Sequence, residues 1–278
     1  MASKKKQKSQ KRQTTLPPIK VTKSTEVEYR NALLAYLNKM KKFVETKIYP
    51  LLEKNEEEYV RDSLNSDLKK RLNEFEKLFV KNDVFAFGVS TKFMNKIKSD
   101  NDRRFAETSK DKIGVDIFNK NSRRLQQIVQ SKINENVNLI KTQSQKYFGD
   151  ISNAVYEGIS NGTRASSIQK AITEKTGQMN RHLKFIAIDQ TYKANAAITE
   201  EKQRDIGVEE YIWRTTGTIK VRGNPNGLYP NAKPSHWARE GKKFRWNKPP
   251  EGGHPGQDYH CMCYAEAIIP DEVIEQNV

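Results

Sequence analysis

Five side chains that can bind a metal or activate a nucleophile lie close together near the end of the sequence: His236, His254, His260, Cys261 and Cys263. Cys261 and Cys263 are the only cysteines among 278 residues, so no disulfide framework underlies the fold. Zinc takes Cys and His in tetrahedral sets of four, and enough donors are present. Cys-x-Cys, however, is not the Cys-x₂₋₄-Cys spacing of a zinc knuckle. On a strand it puts both sulfurs on one face, where small buried apolar groups belong. The expectation is therefore buried thiols, with no metal and no cofactor. Nuclease chemistry would need a metal-held or imidazole-activated water with acidic ligands beside it. Glu251 and Asp258 share a loop with His254, but in no nuclease spacing, and no catalytic residue is assigned. No G-x-x-x-x-G-K phosphate loop occurs, which argues against a motor.

The elements that must position these side chains change character at Gly207. Residues 209–270 hold all three tryptophans and most of the prolines. Tyr211, Trp213 and Thr215 alternate with Ile212, Arg214 and Thr216, and Cys261, Cys263, Ala265 and Ala267 alternate in the same way, so both segments read as strands. Turn-rich loops join them. Trp213, Trp237 and Trp246 are expected as core, in preference to a base-stacking platform.

Upstream the period is helical. Thr25 and Glu28 read as a capping box opening a helix, with Tyr29, Leu33, Met40, Val44 and Ile48 on one stripe and Pro50 ending or kinking it. Leu68, Leu72, Phe75 and Phe79 mark a second helix. Phe85 and Phe87 before Gly88 suggest a short extended piece. Phe93, Met94, Ile97 and Phe105 suggest short helices, and residues 112–121 a loop or short strand. A long stripe runs from Leu125 through Ile140 toward Val155 and breaks at Gly158 and Gly162. A helix with Ile168 and Ile172 is expected to end at Gly177, and another, with Leu183, Ile186 and Ile198, to close near Gly207. The fold class is α+β: a mainly helical body with a small β-containing C-terminal unit.

Charge separates the chain into three regions: a basic N-terminal stretch, residues 26–208 with a net +8, and a neutral C-terminal stretch. The net charge is +16, which favours a polyanionic partner. Residues 209–278 carry nine basic and nine acidic residues and are neutral. Residues 1–25 carry Lys4, Lys5, Lys6, Lys8, Lys11, Arg12, Lys20 and Lys23 with no acid, and read as a disordered basic tail. Without aromatic residues to stack on bases, these eight are expected to bind double-stranded DNA nonspecifically, through phosphate. No run approaches the roughly 18 apolar residues of a membrane span, and the N-terminus lacks a signal-peptide apolar region. The expectation is a host-cytoplasmic origin and no membrane partner.

Taken in order, several short motifs resemble the phage head morphogenesis family, the minor head proteins similar to phage Mu protein F. They are Ile186-Ala187, Trp213-Arg214, Val221-Arg222, His236, Gly241-Lys242, Pro249-Pro250, His254-Pro255-Gly256 and the Cys261/Cys263 pair. The resemblance covers residues 135–268. It divides the chain into the tail 1–25, an N-terminal helical region 26–134 and a family domain 135–278, with helices over 135–208 and the β-rich unit over 209–270. Trp213, Arg214, Arg222, His236, Gly241, Pro250, His254, Cys261 and Cys263 take structural roles as the motif residues. The resemblance implies a non-enzymatic minor capsid protein of a tailed phage, inside the head at the portal, assisting assembly, packaging or ejection. Portal protein and DNA are the implied partners, with scaffold or major capsid protein as further candidates. Two other readings compete: a cellular nonspecific nucleic-acid-binding module, and a metal-dependent nuclease or effector using the His/Cys cluster.

Overall fold

A computed structural model describes residues 13–58, 61–118 and 122–277, without the side chains of 55–58, 61–65 and 277. It is mainly helical with one small antiparallel sheet, the α+β class expected from the sequence. The helices are α1 (Lys23–Phe43), α2 (Tyr49–Glu58), α3 (Arg61–Phe75), α4 (Asp83–Ile113), α5 (Arg123–Ser160), α6 (Ala165–Asp205) and α7 (Asp271–Asn277). The strands are β1 (Thr15–Leu16), β2 (Glu210–Arg214), β3 (Lys243–Arg245) and β4 (Tyr264–Ile268), in the order β1-β4-β2-β3. Among the described residues no helix is long and apolar enough to cross a membrane.

The chain forms two compact units, each discontinuous in sequence. The first comprises Val21–Asp100 and Gln126–Asn195. It is built on the stripes read from the sequence: Tyr29, Leu33, Met40, Val44 and Ile48, then Leu68, Leu72 and Phe75, then Val129, Ile133, Ile140, Ile151 and Val155 are all buried. Two of its interior phenols are paired, as burial favours. The Tyr29 hydroxyl donates to Asn136 Oδ1 at 2.8 Å, and the Tyr147 hydroxyl lies 2.7 Å from Thr176 Oγ1. Burial pushes the Tyr147 phenol up to about 12.

Several local expectations give way to packing. Thr25 is not a cap: α1 begins at Lys23, and the Thr25 hydroxyl, buried, donates to Asp100 Oδ2 at 2.7 Å. The helical path continues through Pro50, because a wide π-helical turn (Val44–Ile48) precedes it. Such a turn is one of the standard ways a helix accommodates a local obstruction. Phe85, Phe87 and Gly88 are helical, inside the single 31-residue α4 that replaces the expected short pieces. Phe85 stacks on Tyr36 at 3.9 Å between centroids, whereas Phe87 is exposed, which is the asymmetry of a helix and not of a buried strand. Gly177 does not end a helix either: α6 runs for 41 residues through it. One interior glycine costs only about 1 kcal/mol, and Ile168, Ile172, Met179, Leu183, Ile186 and Ile198 are buried on both sides of it.

The second unit takes its described residues from 13–20, 101–125 and 196–277, and it contains the sheet. Its core joins Leu16, Ile19, Phe105, Phe118, Val208, Tyr211, Trp213, Trp246, Cys261, Cys263, Ala265, Ala267 and Ile269. Order begins earlier than Thr25, because Thr15 pairs with Ile268 and Leu16 with Ala267. Leu16 and Ile19 are buried, so the stretch around them is core and not tail. The end of α6 closes the unit from the helical side. Lys202, fully buried, pairs with Asp102 and lies 4.9 Å above the Phe105 ring. Trp246 Nε1 donates to Gln203 Oε1 at 3.2 Å.

Candidate functional site

The site is assembled on β2 and β4 and on the long loops between them. β2 has Tyr211 and Trp213 on its buried face, paired with Ala267 and Ala265 of β4. Small partners on β4 leave room for the large rings of β2. Cys261 and Cys263 do not lie on the strand as expected; they immediately precede β4, which starts at Tyr264. Both remain buried. The β2–β3 connection turns at Gly241, whose φ of +73° falls in the left-handed region that glycine adopts freely. Its N–H donates to Trp213 O at 2.9 Å.

His236 reaches this core from a loop, just ahead of a short 3₁₀ turn (Trp237–Arg239). The approach depends on Gly223, which the sequence reading passed over. It has φ +75°, and a Cβ there would lie 2.0 Å from Ser235 Oγ and 3.0 Å from Ser235 Cα. The adjoining Arg222 carbonyl accepts the Trp237 N–H at 3.0 Å, which seats the His236 segment against it.

The imidazole of His236 is buried among sulfurs. Nδ1 lies 3.4 Å from Cys261 Sγ and 3.8 Å from Cys263 Sγ. All three donor atoms fall within 4.8 Å of one another, and among the described residues no other group of three or more such donors occurs. On the opposite edge, Nε2 faces Asp258 Oδ2 at 3.4 Å. Arg222 holds that carboxylate through Nη1 and donates from Nη2 to Tyr259 O at 2.9 Å. The Trp213 ring packs edge-on to His236, with centroids 5.2 Å apart, and Arg239 covers Trp213 at 4.9 Å. Cys263 hydrogen-bonds to Cys261, which holds Cys261 well below the usual thiol range and raises Cys263. Two sulfurs and an imidazole so placed can hold a soft or borderline metal ion.

His254 is brought elsewhere. It is buried beside Trp246, with centroids 4.8 Å apart, and its Nδ1 lies 2.8 Å from the Tyr211 hydroxyl. Burial lowers its pKa. His260 adopts a left-handed φ of 54° and is not one of the clustered donors. Arg214 hydrogen-bonds Glu266 across the strands and Glu240 at 3.1 Å. Glu240 also accepts from the Thr215 hydroxyl at 2.8 Å. Burial alone would raise the Glu240 carboxyl, but these donors bring it below its ordinary value. Pro250 forms a turn, its carbonyl accepting from Gly253 N at 2.8 Å. Of the tryptophans, Trp213 and Trp246 are core and Trp237 is exposed. Lys20 and Lys23 are both exposed, and Lys23 pairs with the buried Glu26. Lys4, Lys5, Lys6, Lys8, Lys11 and Arg12 lie outside the described residues.

Comparison with known proteins agrees with the resemblance read from the motifs. Residues 149–266 match the family described as Phage Mu protein F like protein, a phage head morphogenesis family that is structural rather than enzymatic. The matched stretch includes the end of α5, all of α6, β2, β3 and most of β4. An uncharacterized protein of Haemophilus influenzae is similar to this chain, 25% identical over 271 residues. The match takes in 94% of this chain but 57% of that relative's length, so the chain spans little more than half of the curated relative it matches. No solved structure matches.

Proposed function

We propose that this protein is a minor head protein of a tailed bacteriophage, bound to the portal inside the head and touching packaged DNA through its basic N-terminal residues. The observation that carries the reading is the family match over 149–266, which takes in β2, β3, most of β4 and the His/Cys cluster. Charge supports the DNA contact. Half of the net +16 sits where no acid balances it, in residues 1–25, with the other +8 spread over residues 26–208, while residues 209–278 are neutral. Basic side chains without acids bind phosphate by releasing counterions and need no base readout.

The role is structural and not catalytic. The ionisable groups around the sheet are engaged with one another: Asp258 by Arg222, His254 by Tyr211, and Glu240 and Glu266 by Arg214. The experiment is proteomics of heads purified from the encoding phage, before and after DNA release. The protein is expected at low stoichiometry against the major capsid protein, and co-purifying with the portal when heads are dissociated. Its absence from purified heads would overturn the reading.

A further inference from the structure

We propose that His236, Cys261 and Cys263 bind a Zn²⁺ ion that ties the loop carrying His236 to the start of β4. The inference stands apart from the phage-head reading, since a head protein and a cellular protein could hold such an ion equally well.

The nitrogen-to-sulfur distances are those a zinc ion imposes, and the two sulfurs lie within 4.8 Å of each other. With Zn–S near 2.3 Å and Zn–N near 2.0–2.1 Å in a tetrahedron, a bound nitrogen and sulfur stand about 3.6 Å apart. The two Nδ1–Sγ separations are 3.4 and 3.8 Å, on either side of that value. The donor set selects the metal. Two thiolates and an imidazole suit zinc, whereas magnesium and calcium want oxygen.

The surroundings are those of a supported metal site. A ligating histidine usually gives its second ring N–H to a carboxylate, which fixes the ring and its tautomer. Here Nε2, buried and without a hydrogen bond among the described residues, lies 3.4 Å from Asp258 Oδ2, and Asp258 is itself held by Arg222. Metal-bound thiolates gain from nearby N–H donors. Gly256 N–H points to Cys261 Sγ at 3.3 Å. Among the described residues no fourth His, Cys, Asp or Glu joins the cluster, so the fourth position goes to a solvent molecule. The three donors are almost wholly buried, His236 at 2%, Cys261 at 4% and Cys263 at 3% exposure, and this fits an ion that holds structure more than one that meets a substrate.

The proposal departs from the expectation of metal-free thiols. Cys-x-Cys alone lacks a knuckle's spacing, but the fold adds a histidine from 25 residues upstream.

The test is the metal content of the full chain, purified without a polyhistidine tag. About one zinc per chain is expected, with cobalt substitution giving thiolate-to-cobalt charge-transfer absorption. Chelation of the wild type should lower its Tm, and zinc should restore it. His236→Ala should lose the ion and His236→Cys should keep it. Asp258→Asn should weaken zinc affinity by about 10- to 100-fold, as loss of an outer-shell partner does. Wild-type protein that takes up neither zinc nor cobalt would overturn the proposal. So would zinc retained in the Cys261→Ser/Cys263→Ser double variant, or rapid alkylation of Cys261 in zinc-treated native protein, the mark of a free nucleophilic thiol.

Discussion

The hydroxyl of Tyr211 lies 2.8 Å from Nδ1 of His254, in hydrogen-bond contact inside the core of the sheet unit. Burial lowers the pKa of His254 from the ordinary 6.5. The unfolded chain therefore takes the proton more readily. The contribution to stability is complete above about pH 6.5 and is lost as pH falls from there through the lower folded value. Urea denaturation from pH 8 to pH 5 should show this fall, and His254→Gln should flatten it. Tyr211→Phe should cost about 1–3 kcal/mol, because it leaves Nδ1 buried without its hydrogen-bond partner. An unchanged pH profile in His254→Gln would show that the ring is solvated.

Trp213 is fully buried between the sulfurs and the Arg239 guanidinium. Trp213→Ala should lower unfolding free energy by roughly 3–5 kcal/mol, the range for emptying a large aromatic site. Denaturant unfolding measures it, and an unchanged midpoint would mean the ring lies outside the core.

Gly158 of α5 faces Ile168 of α6 so closely that an added Cβ would lie 2.5 Å from Ile168 Cδ1 and from Cγ1. Alanine gains about 1 kcal/mol of helix propensity over glycine, but overpacking a filled core costs about 1–3 kcal/mol. The net expectation is a loss of up to about 2 kcal/mol. In a double-mutant cycle, Gly158→Ala should become stabilising in an Ile168→Ala background. If Gly158→Ala stabilises the wild type, the two helices are not in this contact.

Removing residues 1–12 should reduce DNA affinity and flatten its salt dependence. The deletion must stop there, because Leu16 belongs to the core of the sheet unit. It removes Lys4, Lys5, Lys6, Lys8, Lys11 and Arg12. If all six contact phosphate, their share of affinity should fall on the order of a thousandfold between 50 and 200 mM salt. Identical salt slopes for the full and shortened chains would show that these residues do not touch DNA.

The helical stripes and the buried face of β2 were legible in the sequence because each is a local periodicity. Tyr29 to Ile48, Leu125 to Val155 and Tyr211/Trp213 repeat at the spacing their elements require, and burial follows. The misreadings fall where a local signal met a distant partner. Thr25 has the right neighbour for a capping box, yet Asp100 takes its hydroxyl. Phe85 and Phe87 alternate like a strand, but Tyr36 stacks on only one of them within α4. β1 is two residues long, with no period to detect, and it exists through its pairing with β4 at the other end of the chain.

By itself the sequence determined the α+β class, the charge asymmetry, the absence of a disulfide framework and the ordered motifs that resemble the head morphogenesis family. These depend on composition, on short-range spacing or on order along the chain, none of which needs the path of the backbone. The tertiary structure decided which histidine meets the thiols. His254 and His260 are nearer in sequence to Cys261, yet the donor is His236, because the left-handed turn at Gly223 and the Arg222 carbonyl bring its loop back onto β2. Loop paths of that kind are set by close backbone approaches and by hydrogen bonds between residues far apart in sequence, and neither leaves a periodic trace.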